Sequence, residues 1–116
     1  MFFVEEMSDL EMAKRILKER NVSLVIVKEG RSLFESSSSG ISGLLQAIRD
    51  QNKSLCRSSV ADRVVGRAAG LLLAYSRVKA VYAATLSEEG LKVLNENHIL
   101  VEHDELVNEI LDREGR

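Results

Sequence analysis

Apolar residues recur at Leu10, Ala13, Ile16 and Leu17, the spacing of one face of an α-helix. Ser8-Asp9-Leu10-Glu11 forms a capping box ahead of them, in which the Ser8 hydroxyl accepts from a free amide and Glu11 reaches back. Lys18, Arg20 and Asn21 supply a cationic last turn and a stop. The period then changes. Val22 to Lys28 is apolar and β-branched on successive positions, Glu29-Gly30 is a turn signal, and Arg31 to Ser36 is a second, more polar extended run. These segments predict a hairpin whose first strand is buried on both faces and whose second lies at an edge.

After the polar Ser36 to Gly40 loop, Ile41, Leu44, Leu45 and Ile48 form an amphipathic stripe, which predicts a second helix capped by one of the serines. A further polar loop, Gln51 to Ser59, leads to Ser58 or Ser59 as the N-cap of a central helix from about Val60 to Ser76, with Asp62 in its first turn. Val60, Val64, Val65, Ala68, Leu71, Leu72 and Tyr75 form its apolar arc, and Gly66, Ala68, Ala69 and Gly70 keep part of its surface small enough for close packing on the sheet. Ala80 to Ala84 reads as a buried strand that Thr85-Leu86-Ser87-Glu88 turns into a helix running to about Asn97. Ile99 to Glu102 is a short last strand, and Asp104 caps a final helix carrying Leu106, Val107, Ile110 and Leu111. The predicted order, α-β-β-α-α-β-α-β-α, describes an α/β fold in three layers, α-β-α, around a mixed sheet of about four strands.

Composition narrows the class without changing this picture. The 116 residues, 45% hydrophobic and 29% charged, fit one soluble globular domain spanning 1–116. With Cys56 as the only cysteine, neither an intramolecular disulfide nor a Cys-x-x-Cys site can form, which points to a reducing, cytoplasmic setting. Met1-Phe2-Phe3-Val4 is followed at once by Glu5-Glu6 and does not read as a signal peptide. The apolar stretch from Ala68 to Leu86 is broken by Arg77 and Lys79, so no membrane span is expected.

Charge is more informative by position than by sum. The net charge is −2, yet Arg49, Lys53, Arg57, Arg63, Arg67, Arg77 and Lys79 make the middle basic, while the chain from Leu86 onward is acidic. The split admits two readings, solvated helix faces or an anionic ligand near the basic middle. Nucleic acid is disfavoured as a partner, because there is no overall basic excess and no interleaving of aromatic with basic residues.

In a sheet of this kind ligands sit beyond the carboxyl ends of strands, against helix N-termini. The candidate binding residues are therefore Ser38, Ser39 and Gly40 in the serine loop, Ser58, Ser59, Asp62 and Arg63 at the start of the central helix, and Thr85 and Ser87 at the later turn. Each serine also has a plain role as a helix cap. Cys56 stands beside Arg57, which could favour its thiolate, and Asp62 is the other candidate for chemistry. His98 and His103 flank the last predicted strand and point to opposite faces of it, so they do not make a metal pair. Glu88-Glu89 and Asp104-Glu105 sit in predicted first turns, where acids serve the helix dipole.

The order of elements, the Asp62-Arg63-Val64-Val65-Gly66-Arg67-Ala68-Ala69 run and the Ser39-Gly40-Ile41-Ser42-Gly43-Leu44-Leu45 run resemble a small bacterial and archaeal domain family of the cytidine deaminase-like superfamily. The resemblance extends over most of the chain, from about Ser23 to Val101. In true deaminases of that superfamily His-Ala-Glu or Cys-Ala-Glu opens the second helix and Pro-Cys-x-x-Cys the third, together holding a zinc-bound hydroxide. Here Val60-Ala61-Asp62 stands at the expected first position and Thr85-Leu86-Ser87-Glu88-Glu89 at the second, so the resemblance implies the fold and the pocket, with no metal and no cofactor. The expectation is a domain that binds a small anionic or nucleotide-like ligand at helix N-termini without zinc deaminase activity. The alternatives are an enzyme of another kind using Cys56 or Asp62, and a homodimeric interaction module built on the Met1 to Val4 start and the C-terminal helix.

Overall fold

A computed structural model describes residues 7–110. Its first helix, α1 (Asp9–Arg20), begins where the capping box places it: the Ser8 hydroxyl accepts from the Glu11 amide at 3.1 Å, and Asn21 ends the helix in the left-handed conformation. The Asp9 carboxylate accepts from the Glu29 and Gly30 amides, which ties the start of α1 to the hairpin turn. That hairpin joins β1 (Leu24–Lys28), buried at all but its last residue, to the edge strand β2 (Arg31–Ser36).

The five-stranded mixed sheet has the order β2-β1-β3-β4-β5. Strand β3 (Ser59–Val65) runs antiparallel to β1 and parallel to β4 (Ala80–Ser87), and β5 (Leu100–Val107) runs parallel to β4. One layer of helix, α1, packs Leu10, Ala13 and Leu17 on Val25, Val27, Ala61 and Tyr82. The opposite face holds the larger core, where Leu24, Ile26, Val60 and Val81 meet residues of α2 (Ser42–Gln51), α3 (Arg67–Tyr75) and α4 (Glu88–Glu96). The three-layer α/β expectation holds, with one strand more than expected.

The extra strand is the main correction. No central helix runs from Val60 to Ser76: its first part is β3, in the middle of the sheet, and only Arg67–Tyr75 is helical. Strand and helix meet at Gly66, so the apolar positions on either side of the junction mimic one helical stripe although they belong to two elements. Ser58 and Ser59 are consequently not helix caps but buried residues at the start of β3, and Asp62 is a strand residue. The serine loop does not cap α2 either: Ile41 occupies the N-cap without a side-chain bond, and the Ser42 hydroxyl donates back to the Ser39 carbonyl.

The last element also differs. The acidic Glu102 to Glu105 stretch expected at a helix start is part of β5, and Asp104 accepts a hydrogen bond from the Tyr82 hydroxyl instead of capping a helix. Leu106 and Val107 belong to β5 as well, while Leu111 lies outside the described residues. β5 is an edge strand that α1 does not cover, so it lacks the alternation of buried and exposed positions that would mark a strand. His103 is in β5 and His98 in the turn before it.

Ser87 caps α4 as expected, its hydroxyl accepting from the Gly90 amide at 2.9 Å. Helices α3 and α4 cross closely at Gly70 and Gly90, and a side chain at Gly90 would lie 3.0 Å from the carbonyl oxygens of Val65 and Gly66. Gly90 therefore lets α4 seat directly on the turn between β3 and α3. No helix among the described residues is long and apolar enough to cross a membrane.

Candidate functional site

β3 points its carboxyl end into a concavity of about 650 Å³ between the starts of α2 and α3. The floor comes from Asp62, Arg63 and Val64, one wall from Ser38 to Ile41, and another from Gly66 to Ala69, with Ser23 and Ile110 at the edges. Both helices begin without a side-chain cap, at Ile41 and Gly66, so among the described residues their first-turn amides meet neither a serine nor an acid. Such ends carry partial positive charge and suit an anion or a carbonyl-type acceptor.

Asp62 is registered opposite Leu24 on β1 and Ala83 on β4, which sets it on the sheet face covered by α2, α3 and α4. Only part of the residue reaches solvent, and burial pushes its carboxyl up to about 7, opposed in part by the backbone amides of Val64 and Arg63. Near neutral pH it is thus divided between a form that donates a hydrogen bond and a form that only accepts. Arg63, the next residue, faces the other side of the sheet. Its guanidinium donates to the Val22 carbonyl and the Asn21 side chain, both at 2.8 Å, anchoring β3 to the end of α1 rather than reaching for a ligand. Among the described residues, Arg67, exposed in the first turn of α3, is the cation at the cavity that this anchoring leaves.

The structure thus gathers Ser38, Ser39, Gly40, Asp62 and the backbone of Arg63 around one cavity and leaves the other candidates elsewhere. Ser58 is buried and donates to the Leu55 carbonyl, Ser59 lies within β3, and Ser87 is buried in its capping role. Thr85 bonds weakly to Glu105 on β5 at 3.4 Å. Cys56 precedes β3 and lines a different cavity at the other end of the sheet, so it cannot act together with Asp62. Ile41, Gly66, Ala68 and Ala69 are cavity-lining residues that the sequence pattern does not mark for binding, and Arg67 enters it only as one cation of the basic middle. The signal for them is the glycine after the β-branched run ending at Val65, which marks a strand giving way to a helix.

The corrected elements also move the positions at which a deaminase would place its zinc ligands. The second helix opens at Ser42 and the third at Arg67, so the comparable segments are Ser39-Gly40-Ile41-Ser42 and Gly66-Arg67-Ala68-Ala69. Neither supplies an imidazole or a thiolate, and among the described residues Asp62 is the only carboxylate lining the cavity. Among the described residues no group of three or more His, Cys, Asp or Glu side chains could hold a metal ion. The donor set does not fit a catalytic zinc.

Residues 12–116 match the DUF1893 domain family (TM1506), a domain of unknown function, and the chain belongs to that family. A crystal structure of a DUF1893 family protein from Thermotoga maritima is similar over 97% of this chain and 76% of that one, at 28% identity and a TM-score of 0.82. Acinetobacter baumannii RibD shares the fold at 18% identity and a TM-score of 0.64, over 83% of this chain and 35% of its own. The dCMP deaminase of the cyanophage S-TIM5 aligns over 81% of this chain and 92% of its own at 19% identity, with a TM-score of 0.59. These likenesses establish a cytidine deaminase-like fold. No curated protein matches significantly.

Proposed function

We propose that the cavity at the carboxyl end of β3 binds a small anionic, nucleotide-like ligand, and that the domain does so without zinc-dependent deamination. The observation that carries this reading is the convergence of two uncapped helix starts on one cavity that also holds Asp62. The free amides of α2 and α3, with Arg67 beside them, suit a phosphate or another compact acceptor. Asp62 then faces the rest of the ligand and can pair with a ring nitrogen or amino group, as acceptor or donor according to its proton. The apolar lining from Ile41, Val64, Ala68 and Ile110 suits a planar base. The S-TIM5 dCMP deaminase, solved in complex with dCMP and dUMP, lends support at the level of the fold.

Thermal-shift measurements against nucleotides, nucleosides and phosphorylated metabolites test the reading. A nucleoside monophosphate is expected to raise the melting temperature in a concentration-dependent manner, more than its parent nucleoside does. A flat response across the whole panel contradicts it. The Asp62 carboxyl, held near 7, supports a second reading in which the same cavity performs proton transfer on its ligand. Turnover of a bound ligand that disappears in Asp62→Asn while binding persists would separate the two.

A further inference from the structure

A second cavity, about 470 Å³, opens at the opposite end of the sheet, below the first residues of β3 and β4, and Cys56, Arg57, Arg77 and Asn97 supply its polar groups. Six non-glycine residues among those described have positive φ; two of them, Arg57 (67°) and Arg77 (58°), line this cavity, and a third, His98 (59°), lies in the chain between its lining residues Asn97 and Ile99. Two of the other three are asparagine, the side chain that tolerates this conformation best. Arg77 and His98 follow the ends of α3 and α4, a position that glycine normally fills. A side chain there costs about 1 kcal/mol relative to glycine, so cationic or imidazole side chains at all three positions call for a compensating role.

Arg57 and Arg77 are held together by their backbones, the Arg57 amide donating to the Arg77 carbonyl at 2.8 Å. Among the described residues, neither guanidinium has a carboxylate within salt-bridge distance and no acidic residue lines the cavity. The helix ends nearby do not supply the missing negative charge in full. The Leu73 and Leu94 carbonyls accept from the Val78 and Ile99 amides, which closes the last turns of α3 and α4. We infer that this cavity is a binding site for a phosphate group, free or as a monoester, held between the Arg57 and Arg77 guanidiniums, with the second amide hydrogen of Asn97, whose first goes to the Val93 carbonyl at 2.8 Å, as a neutral donor. Two guanidinium forks suit a dianionic oxyanion better than a single carboxylate. The site is separate from the cavity at the carboxyl end of β3 and stands or falls independently of it.

Nitrogen-15 NMR titrations with inorganic phosphate, glycerol 3-phosphate and, at equal ionic strength, acetate provide the test. Saturable shifts at Arg57, Arg77 and Asn97 are expected for both phosphates, the tighter of the two telling free phosphate from an ester, with acetate at least about tenfold weaker. Arg57→Gly and Arg77→Gly should each weaken phosphate by about tenfold or more while leaving thermal stability unchanged or raised, because glycine relieves the backbone cost. Arg57→Gln and Arg77→Gln should lose phosphate equally, and the exposed Arg49→Gln, which removes the same charge from α2, should bind as the native protein does. Shifts that grow linearly with phosphate, acetate equal to phosphate, or undiminished binding by the double glycine variant would overturn the proposal.

Discussion

Asp62 is the residue on which sequence, fold and site converge, and its ionisation has a consequence for stability. Burial raises its folded-state value from 3.8 to about 7, so the folded protein holds a proton that the unfolded chain has released. Between these values stability falls as pH rises, and the loss is complete above about 7, reaching an estimated 1–3 kcal/mol after allowance for partial exposure. Asp62→Asn should flatten this slope, leaving the variant more stable than the native protein at pH 8 and close to it at pH 4. Urea midpoints measured across that range check it, and parallel curves would contradict the assigned burial. Tyr82, whose ring is fully buried against α1, offers an independent check. Burial and then the Asp104 carboxylate push its hydroxyl up to about 12, so ultraviolet titration should show one tyrosine ionising that late.

At the scale of elements, the close crossing of α3 and α4 predicts opposite responses to the same mutation. Alanine in place of a helical glycine ordinarily gains about 1 kcal/mol. At Gly90 the new methyl would press on the Val65 and Gly66 carbonyls at 3.0 Å, and Gly90→Ala should instead cost about 1–3 kcal/mol. At Gly70 the nearest atom lies at 3.4 Å, an ordinary contact, so Gly70→Ala should keep most of the helix-propensity gain, up to about 1 kcal/mol, in the same denaturation experiment. The elements that were legible in the sequence carry local punctuation: Ser8 and Asn21 bound α1, Glu29-Gly30 turns the hairpin, and Ser87 starts α4. The elements that were not legible lack it. Val60, Val64 and Val65 belong to a strand, yet with Ala68, Leu71 and Leu72 they fall at helical spacing, and a single glycine separates the two periods. In β5 tertiary position hides the signal, because at this sheet edge only Val101 and Val107 are partly buried, too few to show an alternation.

Across the whole molecule, the basic middle of the chain is divided between the two ends of the sheet. Arg63 and Arg67 go to the carboxyl end of β3, one to anchor the strand and the other to the cavity, whereas Arg57 and Arg77 go to the opposite end. The sequence shows that these arginines are close in the chain, but only the path of β3 shows that they serve different places. The same path explains why Ser38 to Gly40 and Asp62 share a cavity while Ser58 and Ser59, nearer to Asp62 in sequence, do not. The central claim is that the cavity between the α2 and α3 starts holds a nucleotide-like ligand. Nitrogen-15 NMR titration with nucleoside monophosphates tests it most directly. The account predicts saturable shifts concentrated at the amides of Ile41 to Gly43 and Arg67 to Ala69, with the largest change in Asp62→Asn for ligands whose base faces that carboxyl. Saturable shifts confined to other surfaces, or none at any accessible concentration, would contradict it.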